Sequence, residues 1–136
     1  MCLGTVTKVY TPHRRQKRAG KGWKVMTTQM EYDVMTHKRA EVMAFPYINH
    51  RERGREIRYP SKGVWLRSER KQKASTMTVA YIPYFHLLAS KEDARKYMKA
   101  MGFTGKSIVP VLYRHLAAEG MQLSVKVLVA KEIMFI

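Results

Sequence analysis

Three runs of basic residues and one cysteine are the parts of this chain whose types and spacing could do chemistry. The first run is Arg14, Arg15, Lys17, Arg18, Lys21 and Lys24, which closes around Trp23. The second is Arg51, Arg53, Arg55, Arg58 and Lys62, and the third is Arg67, Arg70, Lys71 and Lys73. Guanidinium groups pair bidentately with phosphate, and ammonium groups meet it as point charges. A glycine-bounded cationic loop can follow a phosphate backbone, and an indole beside it can stack on an unpaired base. One such loop is often no more than a solvated surface. Three in succession point to a shared cationic face. Glu52 and Glu56 stand among the arginines of the second run and would subtract from it by local ion pairing. No helix-turn-helix, zinc finger or RNP-like aromatic motif is present to read bases. The expected binding is therefore phosphate-dominated, weak in sequence preference and steep in salt.

Cys2 carries the second candidate chemistry. Removal of Met1 would leave an α-amine and a thiol on one residue, a pair that can condense with an aldehyde or act as base and nucleophile together. His86, in Tyr84-Phe85-His86-Leu87, is expected to face a cleft, on the opposite side of its strand from Phe85 and Leu87. There it could draw the Cys2 proton into a thiolate–imidazolium pair. The bland alternative is an early buried cysteine and a hydrogen-bonded core histidine. His13, His37, His50 and His115 have no metal-ligand spacing, and a single cysteine cannot build a thiolate zinc site. Neither a metal nor a cofactor is expected. Gly20-Lys21-Gly22 has neither the spacing nor the context of a phosphate-binding loop. The methionines fall in strand-like or helical segments and read as core filling. With no specific catalytic signature, the balance leans away from an enzyme.

The whole chain must position these groups. It has 136 residues and a formal charge of +16, and 18 Lys+Arg against 6 Asp+Glu fall in residues 1–73. Such imbalance repels itself unless a polyanion is near. Length and 46% apolar content suit one domain, 1–136, with a core of its own. The single cysteine and the lack of a long apolar run or signal-like leader suggest the reducing cytoplasm.

Thr5–Tyr10 is β-branched and aromatic and reads as a strand that Thr11-Pro12 ends. A basic loop is expected at 11–22, then strands at Trp23–Met30 and Ala40–Phe45, joined through His37-Lys38-Arg39. A second basic loop is expected at 46–63, with a helical turn around Arg51–Arg58, followed by a short strand Val64–Arg67. Alternation from Thr76 to Leu87 reads as a long strand broken at Pro83. Ser90 precedes Glu92 and Asp93 as an N-cap with acids in the first turn. Ala94, Tyr97, Met98 and Met101 make one apolar helix stripe, and Gly102 stops the helix. Ser107–Leu116 and Met121–Ile136 read as strands with a turn at Ala117–Gly120. In the second, Met121, Leu123, Val125, Val127 and Val129 share an apolar face. The final strand, if left at an edge, could pair with a second copy. The expected class is α+β: a mostly antiparallel sheet with one principal helix, Ser90–Gly102, packed on it.

Met1-Cys2 is similar to the start of the SOS-response-associated peptidase family, which crosslinks abasic DNA through that cysteine. It is also similar to class II glutamine amidotransferases. Both families are longer and follow the cysteine with glycine, where this chain has Leu3. A broader resemblance rests on Met1-Cys2-Leu3, Gly22-Trp23-Lys24-Val25, Tyr84-Phe85-His86 with Asp93-Ala94 after it, and Val127-Leu128-Val129-Ala130-Lys131-Glu132-Ile133. Together these look like small uncharacterised bacteriophage and prophage proteins, which implies a bacterial cytoplasmic setting and no particular activity. The expected function is a small basic module that binds nucleic acid, DNA or RNA, or a nucleoprotein complex. The alternatives are a Cys2-dependent hydrolase or abasic-DNA crosslinker with His86 as base, and an inhibitor of an acidic host protein.

Overall fold

The computed structural model describes residues 3–14, 18–33, 37–44, 51–52, 55–56, 62–69, 71–75, 80–102 and 107–136. In chain order the elements are β1 (Thr5–Arg14), β2 (Gly20–Asp33), β3 (Lys38–Ala44), β4 (Arg51–Glu52), β5 (Arg55–Glu56), β6 (Trp65–Arg67), β7 (Ala74–Ser75), β8 (Ala80–Tyr81), β9 (Phe85–Leu88), α1 (Lys91–Met101), β10 (Ser107–Gln122) and β11 (Val125–Phe135). The class is α+β, with one helix among the described residues against a mostly antiparallel sheet.

The long hairpin β10–β11 is the frame. Its register runs from Val111↔Phe135 to Gln122↔Val125, with a bulge between Leu116 and Ala118. The turn is Leu123-Ser124, with φ of 50° and 63°. Two positive φ values in a two-residue loop match the strand twist that favours tight hairpins. The expected turn at Ala117–Gly120 is therefore corrected: those residues are strand. Gly120 belongs there because β1 crosses so closely that a Cβ would drive into the Thr5 carbonyl oxygen. The expected apolar face is also shorter. Val125, Val127 and Val129 are buried, whereas Met121 and Leu123 lie exposed.

Strand β11 is not an edge. It pairs with β10 on one side and with β9 and β6 on the other. Strand β9 touches β2 at Leu88↔Trp23, and residues 20–26 of β2 return to 107–113 of β10. The pairings β2–β10–β11–β9–β2 thus close into a small circuit, and β1, β3 and β6 extend it. Closure gives β9 two buried sides. Phe85 and Leu87 join Val111, Leu116, Leu128 and Ile133 in one apolar cluster, and Leu88 joins Val25, Val127, Val129, Ala94 and Tyr97 in the other.

The helix forms as expected. The Ser90 Oγ accepts from the Asp93 N–H at 3.0 Å, Glu92 and Asp93 occupy the first turn, and Gly102 closes the last with φ 70°. Ala94 and Tyr97 are buried and Met98 is half-buried, but Met101, at the end of the expected stripe, is exposed.

Elsewhere the strands run longer than expected. β1 passes Pro12 and reaches Arg14, with an irregular ladder between Val9 and Arg14 where proline has no N–H to donate. β2 begins at Gly20. The expected loop 11–22 is thus largely strand, and residues 15–17 fall outside the described set. Within 46–63, the expected helical turn is replaced by a hairpin pairing Arg51↔Glu56 and Glu52↔Arg55. Between residues 74 and 88 three short strands, β7, β8 and β9, stand where one long strand was expected, and residues 76–79 lie outside the described set.

Candidate nucleic-acid interface

Strand alternation decides where the first basic run goes. On β2, Lys21 is exposed and its ammonium lies 5.0 Å from the Trp23 ring centre. Trp23 is half-buried, and Lys91 at the start of α1 reaches the same ring at 5.7 Å. Lys24 points the other way and is fully buried, with its ammonium 5.7 Å from the centre of Phe85. Burial lowers its pKa from 10.5 to about 7. Lys24 is therefore removed from any solvent-facing patch. Arg18, Arg67, Lys71 and Lys73 are exposed. Arg14, Arg51 and Arg55 lie on strands of which only the backbone is described, and Arg15, Lys17, Arg53, Arg58 and Arg70 lie outside the described residues.

His86 does not face a cleft. It is buried in a relay that begins at the N-terminal segment. The Leu3 N–H donates to the Tyr81 hydroxyl oxygen at 2.9 Å. Tyr81 Oη lies 3.0 Å from His86 Nε2, and His86 Nδ1 lies 3.0 Å from the Tyr84 carbonyl oxygen. A carbonyl only accepts, so Nδ1 carries the proton and Nε2 accepts from Tyr81. With both ring nitrogens engaged and no solvent access, the ring is a structural member of the core. That corrects its assignment as a base poised in a cleft. Cys2 lies outside the described residues.

Directly above this relay an open groove of about 430 Å³ runs between β1, β10 and the segment 80–84. It is lined by Val9, Tyr10, Thr11 and Pro12 of β1, Ala117 and Ala118 of β10, Ala80, Tyr81, Ile82 and Tyr84, and by Lys73. Tyr10 is half-buried and Pro12 exposed, so they offer the accessible apolar surface. The Tyr10 hydroxyl donates to Glu119 Oε1 at 3.1 Å, which fixes the ring. Two of the three tyrosines in the wall have a cation beside the ring. Lys8 Nζ lies 4.8 Å from the Tyr10 ring centre and Lys131 Nζ lies 5.6 Å from that of Tyr84. Burial raises the Tyr84 pKa, an effect that the charge of Arg67 partly offsets.

A second polar cluster lies where β10, β11 and β6 meet. Glu132 sits opposite both Arg114 and Arg67 in the strand register. Arg114 donates to its carboxylate through Nε at 3.0 Å and Nη2 at 3.2 Å, and its guanidinium lies 4.0 Å from the Trp65 ring centre. His115 Nε2 lies 2.8 Å from Glu132 Oε2. Burial alone would raise the Glu132 pKa. The hydrogen bond and charge of Arg114, with the charges of His115 and Arg67, outweigh it and hold the carboxyl below its ordinary value. Neither Glu132 nor the functional potential of His115 was visible in motif spacing, because only the hairpin register brings them together. No helix among the described residues is long and apolar enough to cross a membrane.

No family model, curated protein or solved structure matches the chain.

Proposed function

We propose that this protein binds single-stranded nucleic acid, with an unpaired base entering the tyrosine-lined groove and the backbone phosphates meeting the lysines around it. The observation that supports this reading is the groove itself. Tyr10 offers an accessible aromatic surface with Lys8 beside its ring, Lys73 lines the same groove, and Lys131 lies beside the Tyr84 ring, on a chain of net charge +16. Stacking against an aromatic face and pairing with a cationic rim is how sequence-tolerant single-strand binders work. Lys21 and Lys91 flanking Trp23 offer a second place where a base and a phosphate could be held together.

The test is fluorescence anisotropy of a labelled single-stranded oligonucleotide with wild type, Tyr10→Ala, Tyr10→Phe and Lys73→Glu. Loss of one base stack costs about 1–3 kcal/mol, so Tyr10→Ala should weaken binding roughly 5- to 150-fold, and Tyr10→Phe should keep most of it. Lys73→Glu should weaken binding and flatten its salt dependence. Binding that ignores all three substitutions would remove the groove from the interface. Binding to acidic polypeptide in place of nucleic acid would move the charge to a protein partner.

A further inference from the structure

In a regular strand, neighbouring residues point to opposite faces. Arg114 and His115 are neighbours on β10, yet both contact Glu132. The cause is a backbone irregularity. His115 has φ 59°, beside the bulge between Leu116 and Ala118, and this turns its side chain to the side of Arg114. A left-handed conformation is unfavourable for a residue with a Cβ, and such strain tends to persist where a site depends on it.

The arrangement has the parts of an acid–base dyad. The Glu132 side chain is only 11% exposed and is gripped by Arg114, so its carboxylate is fixed. It takes the Nε2–H of His115, which leaves Nδ1 as the basic nitrogen, and that side chain is 49% exposed. Nδ1 has no hydrogen bond among the described residues. Arg67 stands across the strand pair from Glu132 and is exposed, which puts a cation suited to a phosphate beside the dyad.

We infer that this protein cleaves single-stranded RNA, with His115 as the general base, Glu132 as its positioning residue and Arg67 as the phosphate contact. This rests on the nucleic-acid reading above. RNA suits the dyad because its nucleophile, the ribose 2′-hydroxyl, is already beside the phosphate and needs only a base. His115 Nδ1 takes the 2′-hydroxyl proton, and the 2′-oxygen forms a bond to the adjacent phosphorus. The bond from phosphorus to the 5′-oxygen breaks, and that oxygen takes a proton from solvent. The products are a 2′,3′-cyclic phosphate and a 5′-hydroxyl, and His115 returns its proton to solvent. DNA, lacking the 2′-hydroxyl, is bound and left intact.

The experiment uses the full chain, a fluorescein-labelled single-stranded RNA of mixed sequence and its 2′-O-methyl counterpart, in buffer containing EDTA. Glycine suits φ 59°, so His115→Gly should retain the fold. The expected result is cleavage to cyclic-phosphate ends, reduced at least ~100-fold in His115→Gly and partly restored by added imidazole. A structural role for the ring would show no imidazole rescue. Glu132→Gln should lower kcat with little change in KM. Binding of the 2′-O-methyl strand without cleavage of the RNA would overturn the inference and leave the binding reading intact. Cleavage unchanged in His115→Gly would overturn it equally. Failure to bind the 2′-O-methyl strand would sink both.

Discussion

Replacing Lys24 by Met should make the protein more stable, and the gain should depend on pH. Lys24 is fully buried on β2, and burial brings its pKa from 10.5 to about 7. Above pH 10.5 the amine is neutral in both folded and unfolded chains and makes no difference. Between about 7 and 10.5 the unfolded chain holds a proton that the folded chain does not, so stability falls as pH falls. Below about 7 both are protonated and the whole penalty is present. A fall from 10.5 to about 7 corresponds to about 5 kcal/mol. Methionine has a similar length and no charge, and imperfect repacking would take back up to ~1.5 kcal/mol. The lost contact with Phe85 would take back about 1 kcal/mol more. The net gain at pH 7 should therefore be about 2–3 kcal/mol, and it should fall to zero and reverse sign before pH 10, where little of the penalty remains. The assay is urea unfolding of both proteins from pH 6 to pH 10, with the slope m compared to confirm that the same surface unfolds. A Lys24→Met protein that is less stable than wild type, by an amount independent of pH, would refute the reasoning.

Three further outcomes follow from the same structure. Ser90→Ala removes the acceptor for the Asp93 N–H and should cost about 1 kcal/mol, read by thermal or urea unfolding. Gly120→Ala should cost about 3 kcal/mol, because the obstacle is the Thr5 backbone and not a movable side chain. Glu132 is held below its ordinary 4.5, so it contributes stability above that pH and loses it as pH falls through its folded value. Glu132→Gln should therefore flatten the acid limb of a stability–pH curve, and an unchanged limb would mean that the carboxylate is not stabilised by its partners.

Local signals proved readable where one residue's own chemistry decides the structure. Ser90, Glu92, Asp93 and Gly102 mark both ends of α1 because capping acts over a few residues. Features set by long-range pairing were not readable. The hairpin turn at Leu123-Ser124 lacks the Asn or Gly that usually announces a turn, whereas Gly120, which does suggest one, is in the strand to let β1 pass. Placing the turn at 117–120 would set Arg114 opposite Leu123, so the Arg114–His115–Glu132 cluster stays invisible until the register is known. Lys24 reads from the sequence as part of a basic surface run for a related reason. Its basic neighbours read as a loop, but strand alternation sends Lys21 outward and Lys24 inward. The tyrosine groove joins Tyr10 to Tyr84 across the fold, and no spacing in the chain relates them.

Nucleic-acid binding through the groove is tested most directly by comparing labelled 2′-O-methyl RNA, single-stranded DNA, duplex DNA and poly-glutamate across a salt series. Three lysine contacts predict a slope of log K against log salt of about −2 on single strands, with single strands preferred over duplex because only they can offer a base to Tyr10. Equal affinity for duplex and poly-glutamate, unchanged in Tyr10→Ala, would contradict it.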